Sequence, residues 1–207
     1  MPIWLGNKSE LITLPETSIF LTDFGESYMP SITPRYYSNT PDILVPPEAH
    51  LLPQKPLSFP ADIWTMACTI WSIIGQRHLF EGFNPSADWM AKEYVEVLGK
   101  LPNEWWQKWD TRRKWFNEDG VREFGEVGRH WEERFERSVQ KPRQECEMEV
   151  VGDEEKAALF VMLKAMMAFT PGERSTAEEI LESEWMRKWA LPELERMKKT
   201  EKTKNDP

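Results

Sequence analysis

One segment of the chain, residues 58–75, restricts the possible folds more than any other. Its apolar side chains recur at the three- and four-residue spacing of an α-helix: Ile63, Trp64, Met66, Ala67, Ile70, Trp71, Ile73 and Ile74. The two tryptophans widen the apolar face, which predicts a largely buried helix. Ser58 can cap its start, Pro60 fits its first turn, and Gly75 is expected to end it. A chain of 207 residues can build one globular domain around such a helix.

Three more helices are predicted, which makes the expected fold mainly α-helical. Residues 87–98 form the first of them, and Gly99 is expected to end it. Residues 154–169 form the second, which is apolar on most sides and therefore predicted to be buried. Residues 175–178, with the sequence STAE, form a capping box that opens a last helix to about residue 189.

The rest of the chain has less regular patterns. Residues 17–23 are rich in β-branched and aromatic side chains and predict a short strand, whereas residues 24–59 predict a long irregular segment. Tryptophans among charges in residues 103–120 predict short helices on the domain surface. Residues 121–150 predict a solvated helix that frays, and the Lys-rich residues 196–207 predict a disordered polar tail.

Charge and cysteine content narrow the class of protein. A formal net charge of -9 argues against nonspecific nucleic-acid binding, and it suits either plain solubility or attraction of basic peptides. Cys68 and Cys146 lack the spacing of a metal pair or a disulfide scaffold. The sequence shows neither a signal-peptide pattern nor an apolar run long enough to cross a membrane. We therefore expect a soluble protein of the cytoplasm or nucleus, with no membrane or nucleic-acid partner.

Four short motifs follow one another along the chain. Asp23, Phe24 and Gly25 come directly after the predicted strand. A carboxylate beside a flexible glycine suits a magnesium ligand that also contacts nucleotide phosphates, although an ordinary strand-to-turn sequence has the same letters. The other three motifs are VPPE at residues 45–48, SFPADIW at residues 58–64 and TPGERSTA at residues 170–177.

In this order and spacing, the four motifs resemble the C-terminal lobe of a eukaryotic protein kinase. Residues 45–48 resemble the family's A-P-E motif, with Pro46 in the alanine position. Residues 170–177 resemble its late D-P-x-x-R-x-T-A signature, with Thr170 in the aspartate position.

Within that family, residues 60–68 and 78–81 are most similar to the SR-protein kinases and their fungal relatives. Such kinases carry insertions in the C-terminal lobe, which would accommodate residues 103–150. The resemblance implies a partial kinase domain over residues 1–195, mainly α-helical and without the N-terminal lobe, followed by the polar tail at 196–207.

The resemblance also implies a cofactor side built on the first motif. Asp23, Phe24 and Gly25 would contact ATP, with Asp23 on the magnesium ion that bridges its phosphates and Phe24 packed against the regulatory spine. Asn7, in a stretch that resembles the end of a catalytic loop, would bind a second magnesium ion. An arbitrary Gly-Asn turn explains the same residues equally well.

Three further residues would hold the lobe together. Glu48 would form a buried ion pair with Arg174, because an arginine fork matches both carboxylate oxygens. Asp62 would be buried near the helix start and accept backbone hydrogen bonds from residues before Asp23. The alternative for each of the three is a solvent-exposed charge.

Several parts of a phosphotransferase are missing from the 207 residues. Phosphoryl transfer needs a Gly-rich loop, a strand lysine and a catalytic aspartate, all of which precede the Asp-Phe-Gly motif in this family. No aspartate occurs before Asp23, so no catalytic residue is assigned. Pro41 also stands where most serine/threonine kinases have a threonine, which puts substrate positioning in doubt.

These observations leave three functional hypotheses. The first is a serine/threonine protein kinase that uses ATP and Mg²⁺ on a protein or peptide substrate, such as an Arg/Ser-rich one, and whose 207 residues are inactive alone. The second is a non-catalytic, pseudokinase-type binding module that uses the Trp-rich insert and the acidic surface. The third is an unrelated helical interaction protein.

Overall fold

The computed structural model describes residues 21–125 and 128–205, and this part of the chain is mainly helical. The helices are α1 (Pro47–Leu51), α2 (Phe59–Ile74), α3 (Ala87–Leu98), α4 (Asn103–Lys108), α5 (Trp131–Phe135), α6 (Lys141–Glu145), α7 (Asp153–Met166), α8 (Ala177–Leu181) and α9 (Leu191–Asn205). A π-helical turn, Glu136–Gln140, joins α5 to α6, and a second, Met186–Ala190, precedes α9. Short 3₁₀ helices occur at Phe24–Glu26, Asp42–Leu44, Asp110–Lys114 and Pro171–Glu173.

Extended structure in the described residues is limited to isolated antiparallel bridges. One joins Arg35 to Leu57 and another joins Phe116 to Arg122. Of the strand predicted at 17–23, residues 21–23 are not in a strand, and the others lie outside the described residues. None of the described helices combines the length and the apolar character that a membrane span requires.

Helix α2 confirms the position predicted from its apolar spacing and forms the centre of the main core. Its buried side chains are Trp64, Ala67, Cys68 and Trp71. The Trp64 ring stacks on Phe80 at 5.6 Å between centroids, and Trp71 meets Trp131 edge-on at 5.4 Å. The other side of α2 is open, since Ile73 is 76% exposed, so the prediction of a largely buried helix holds for one face only.

The ends of α2 follow the sequence in part. The Gly75 N–H donates to the carbonyl of Trp71 at 2.9 Å and closes the last turn. A side chain at Gly75 would be crowded, because an added Cβ would lie 3.2 Å from that carbonyl and 3.3 Å from the carbonyl of Ser138. Ser58 makes no side-chain cap, which corrects the prediction. Pro60 has no N–H to offer it, and the Ala61 N–H bonds the Ser58 carbonyl instead at 2.8 Å.

The Trp-rich stretch forms short helices as predicted, but they are buried rather than superficial. Trp105, Trp106, Trp109 and Phe116 pack against Ala91, Val95 and Leu101 as a second apolar cluster. This cluster covers the face of α3 that the main core leaves open. Aromatic rings that bury this much area contribute to a core even when charges separate them in sequence.

The charged residues 131–145 do not form the solvated, fraying helix that their composition predicted. Trp131, Phe135 and Val139 lie at helical spacing and belong to the main core. Charged residues separate these three apolar side chains in the sequence, so the apolar face of the segment was not recognised from composition. Arg134 is itself buried on this segment.

A group of buried charges attaches this segment to α3. Arg134 donates to Glu93 at 2.9 Å and to the Leu79 carbonyl at 2.6 Å, and Arg122 pairs with Glu96. Burial alone would raise the pKa of Glu93, but the Arg134 guanidinium reverses this and holds that pKa below its ordinary value. Buried charges persist only when they are paired in this way.

The single last helix predicted from the capping box at residues 175–178 to about residue 189 is interrupted in the structure. Helix α8 ends at Leu181, and the second π-helical turn and α9 follow it. Thr176, not Ser175, caps α8: its hydroxyl accepts from the Glu179 N–H at 3.2 Å, and the Thr176 N–H donates to the Glu179 carboxylate at 2.8 Å. The Ser175 N–H is engaged by the Ala165 carbonyl at 3.2 Å, which fixes it against the end of α7.

Helix α9 continues to Asn205, where the sequence predicted a disordered polar tail from residue 196. Ion pairs three residues apart stabilise its first turns, with Arg196 on Glu193 at 2.6 Å and Lys198 on Glu195 at 2.9 Å.

Candidate functional site

A groove of about 570 Å³ lies between the Asp-Phe-Gly turn, the irregular segment that follows it and the first turns of α2. Its walls include Asp23, Phe24, Arg35, Asp62 and Thr65. Two of the three predicted cofactor residues, Asp23 and Phe24, therefore line the same cavity as the predicted structural residue Asp62, whereas Gly25 does not line it.

Asp23, Phe24 and Gly25 form a sharp turn at one side of this groove. Asp23 has a left-handed backbone, with φ 63° and ψ 55°, and Phe24 starts a short 3₁₀ helix. Aspartate tolerates this conformation better than most residues, which explains why it can stand before the turn. Phe24 is 62% exposed, so the expected packing against a regulatory spine is absent from the described residues.

The segment after the turn is held by Glu26. Its carboxylate accepts from Arg35 at 2.6 Å and from the Asn39 amide at 2.8 Å. The hydrogen bond from Arg35, followed by that from Asn39, lowers the pKa of Glu26. The Arg35 guanidinium also lies 5.0 Å from the centroid of the Tyr28 ring, and the Leu57 N–H donates to the Arg35 carbonyl at 2.7 Å. These contacts keep the irregular segment folded across the start of α2.

The end of the same segment is anchored on the core. The Tyr94 hydroxyl donates to the Val45 carbonyl at 2.9 Å, and the Thr65 hydroxyl donates to the Leu44 carbonyl at 3.2 Å. Burial raises the pKa of Tyr94 well above its ordinary value, so the hydroxyl stays protonated and remains a donor. The VPPE motif is thereby fixed at the foot of the groove.

Glu48 and Arg174 meet below the groove, as the motif comparison expected. The two terminal nitrogens of Arg174 donate to the two carboxylate oxygens of Glu48 at 2.8 and 2.5 Å. The side chain of Arg174 is 0% exposed and that of Glu48 is 8% exposed. This is the bidentate geometry in which an arginine fork matches a carboxylate.

Arg174 also binds three backbone carbonyls. It donates to Pro60 at 2.9 Å, Ala168 at 2.8 Å and Phe169 at 3.2 Å. Its guanidinium lies 5.1 Å from the centroid of the Trp64 ring. One side chain therefore joins α1, the first turn of α2 and the loop after α7, which is what a scaffold residue beneath a groove requires.

Asp62 departs from the prediction. It is exposed rather than buried at the start of α2. Partial burial by the surrounding chain still raises the pKa of its carboxyl group. Its expected backbone donors were residues before Asp23, most of which lie outside the described residues, as does Asn7.

The described residues fit ATP and Mg²⁺ only incompletely. Asp23 is exposed and its carboxylate is available to a metal. Among the described residues, however, no group of three or more His, Cys, Asp or Glu side chains could hold a metal ion. Magnesium keeps most of its waters unless phosphates complete its shell, so one carboxylate is a weak site.

Several residues of the site could not be found from the sequence. Tyr94 and Thr65 act through hydrogen bonds to backbone carbonyls 49 and 21 positions away in the chain. Arg35 acts through the Glu26 carboxylate and the Tyr28 ring, contacts that no motif marked. The only sequence signal was the location of Tyr94 within an amphipathic helix, where a core role is the ordinary expectation.

Comparison with known proteins supports one relationship. No protein-family model matches the chain. Serine/threonine protein kinases of two strains of Aspergillus fumigatus are each 26% identical to it over 172 residues, which cover 80% of this chain. The matched stretch spans 39% of the length of each of those kinases. The chain is therefore similar, at low identity, to fungal serine/threonine protein kinases, and its mainly helical fold is compatible with that similarity.

Proposed function

We propose that this chain forms the C-terminal lobe of a serine/threonine protein-kinase-type domain, of the SR-protein-kinase kind. The observation that carries the proposal is the pair between Glu48 and Arg174. This ion pair joins residues 45–48, which resemble the A-P-E motif, to residues 170–177, which resemble the late arginine signature. The similarity of the chain to a fungal serine/threonine protein kinase also supports the proposal. Residues 103–150 form the insert of this lobe and cover α3.

The groove at Asp23 is the proposed place for the nucleotide phosphates and the acceptor peptide. Asp23 would contribute one carboxylate to a magnesium ion, and ATP bound with that ion would supply the transferable phosphate. Asp23, Glu26 and Asp62 all carry acidic groups at this groove, and Glu26 is neutralised by Arg35. The remaining acidic character favours a basic, Arg/Ser-rich peptide as the acceptor.

The 207 residues are proposed to be inactive on their own. Positioning and electrostatic stabilisation supply nearly all the catalysis in phosphoryl transfer. The described residues contribute one metal-facing carboxylate to that machinery, and no aspartate precedes Asp23 to act as base.

A phosphotransfer assay tests this proposal. The purified chain and its Asp23→Ala variant are incubated with labelled ATP, Mg²⁺ and either an Arg/Ser-rich or a general basic peptide. The expected result is no labelled peptide above the level of the variant. Labelling that the variant abolishes would show that these residues suffice for catalysis.

The second candidate is a non-catalytic binding module. The exposure of Leu21, Phe24 and Phe59 around the groove favours it, because apolar side chains at a groove often contact a partner. Fluorescence anisotropy with a labelled Arg/Ser-rich peptide separates the two. A module binds the peptide without Mg²⁺–ATP and equally well after Asp23→Ala, whereas the kinase-type lobe gains affinity from the nucleotide through Asp23.

A further inference from the structure

Two donors in the groove at Asp23 converge on one carboxylate oxygen. Arg35 donates to Oε2 of Glu26 at 2.6 Å, and the Asn39 amide donates to the same oxygen at 2.8 Å. All three residues line the groove, and Arg35 is the only lysine or arginine among the described residues of that lining. A guanidinium and an amide that meet at one point form a receptor for an anion, and Glu26 occupies it.

The Arg35 side chain is held in place by contacts that do not involve Glu26. Its guanidinium lies 5.0 Å from the centroid of the Tyr28 ring, and the Leu57 N–H donates to the Arg35 carbonyl at 2.7 Å. The side chain of Arg35 is 25% exposed, so an anion in the groove has access to it. The receptor therefore keeps its position when the anion that it binds is exchanged.

Glu26 is an exchangeable occupant of this receptor. Its side chain is 62% exposed, and an exposed ion pair contributes little to stability. The hydrogen bond from Arg35, followed by that from Asn39, lowers the pKa of Glu26, so the bound carboxylate is negatively charged at neutral pH. The internal contact thus shows which class of group the two donors accept, namely an oxyanion.

A phosphate monoester is the anion best suited to replace Glu26. It carries a charge of about −1.5 to −2 and three strong acceptor oxygens, so each donor can bind an oxygen of its own. Glu26 instead offers one oxygen that both donors share. Arginine binds phosphate through paired N–H donors, whereas a second carboxylate would have no more charge than the one it displaced.

We propose that Arg35 and Asn39 bind a phosphoserine of the acceptor peptide, and that Glu26 occupies this receptor until the phosphopeptide displaces it. The inference rests on the proposed function, which places an Arg/Ser-rich acceptor in the same groove. It names the substrate class more narrowly, as Arg/Ser-rich peptides that already carry a phosphate on a neighbouring serine. The terminal phosphate of ATP has the same chemistry, so the experiment separates these two sources.

Fluorescence anisotropy without ATP or Mg²⁺ compares three labelled peptides. One is Arg/Ser-rich, the second carries one phosphoserine, and the third has glutamate at that position. The net charge of -9 on the protein predicts that an added phosphate weakens binding through general electrostatics. A phosphate receptor predicts the opposite, a Kd about threefold lower for the phosphopeptide, with no such gain for the glutamate peptide.

The Glu26→Gln variant separates a receptor from a purely structural contact. Because it removes the competing carboxylate, the phosphopeptide should bind about threefold more tightly still, whereas loss of a structural contact would not tighten binding. Arg35→Gln should abolish the gain from the phosphate. The matched control is Arg77→Gln, an exposed arginine that does not line the groove, and it should keep the gain. Circular dichroism checks that each variant is folded.

Mg²⁺-free ATP is the competitor that distinguishes the two sources of phosphate. It should displace the unphosphorylated peptide equally from the native protein and from Arg35→Gln, and displacement that depends on Arg35 would overturn the proposal in favour of the nucleotide. Equal Kd values for the phosphorylated and unphosphorylated peptides would also overturn it, as would a Glu26→Gln variant that binds the phosphopeptide no more tightly. None of these measurements involves phosphoryl transfer, so the phosphotransfer assay tests the proposed function separately.

Discussion

Arg174 donates two hydrogen bonds to Glu48, which lies 126 positions earlier in the chain. The remaining donors of the same guanidinium bind the carbonyls of Pro60, Ala168 and Phe169. Because these partners lie in α1, in the first turn of α2 and in the loop after α7, Arg174 fixes how these three elements sit together beneath the groove.

Thr176→Ala should destabilise the protein by about 1 kcal/mol, because it removes the hydroxyl that caps α8. Ser175→Ala is the matched control, and it should change the unfolding free energy by less than about 0.5 kcal/mol because its side chain makes no cap. Urea denaturation followed by circular dichroism measures both. A larger effect at Ser175 than at Thr176 would return the cap to the position that the sequence suggested.

Stability should decline in acid as Glu93 is protonated. Its folded pKa is held below the unfolded value of 4.5, so its contribution is fully present above about pH 4.5 and is lost as the pH falls through the folded pKa. Glu93→Gln should cost about 3 kcal/mol at pH 7, because Arg134 is left buried without a counter-charge. Urea titrations between about pH 5 and about pH 3, in steps of about 1 pH unit, measure the free energy of unfolding. Over this range the variant should lose less of it than the native protein. Parallel pH curves for the two proteins would contradict this account of Glu93.

His50 should produce a separate pH effect nearer neutrality. Burial lowers its pKa below the ordinary 6.5, and contact with Asp42 offsets this only in part. Above pH 6.5 the imidazole is neutral in both the folded and the unfolded state, and stability is not reduced. As the pH falls from 6.5 toward the folded pKa, the unfolded state takes up the proton first, so the free energy of unfolding decreases. His50→Gln should flatten the stability curve in that window. A curve that keeps its slope in the variant would assign the effect to another group.

The sequence predicted the parts of this fold that depend on local spacing. Apolar periodicity located α2 and α3, and Gly99, with φ 93°, ends α3 where a glycine was expected to end it. Cys68 is buried as a small hydrophobe, and burial raises the pKa of its thiol to about 12. These features need only neighbours within a few positions, which a single sequence contains.

The parts that failed depend on partners distant in the chain. Arg134 and Glu93 are ordinary surface residues by composition, and only their pairing 41 positions apart makes them buried ones. Trp131 is surrounded by charged residues in the sequence, and its burial depends on core partners such as Trp71 and Phe160 that are distant in the chain. The cap moved from Ser175 to Thr176 because the Ala165 carbonyl takes the Ser175 N–H, a tertiary contact.

The candidate site was predicted only where a family motif marked it. The resemblance paired Glu48 with Arg174, and the two side chains are in contact. It also placed Asp62 against backbone donors before Asp23 and Phe24 against the regulatory spine, but both residues are exposed. The packing expected of those two residues involves chain that precedes Asp23 in kinases, so their surroundings cannot follow from residues 21–205 alone.

A double-mutant cycle on Glu48 and Arg174 tests the central claim most directly. Unfolding free energies are measured for the native protein, Glu48→Gln, Arg174→Lys and the double variant. Both substitutions are conservative, so the variants are expected to fold. A kinase-type lobe fastened by this pair predicts single losses of about 3 kcal/mol and a coupling energy of about 1–3 kcal/mol, because each change leaves a buried partner unpaired. Additive losses, with a coupling below about 0.3 kcal/mol, would contradict it.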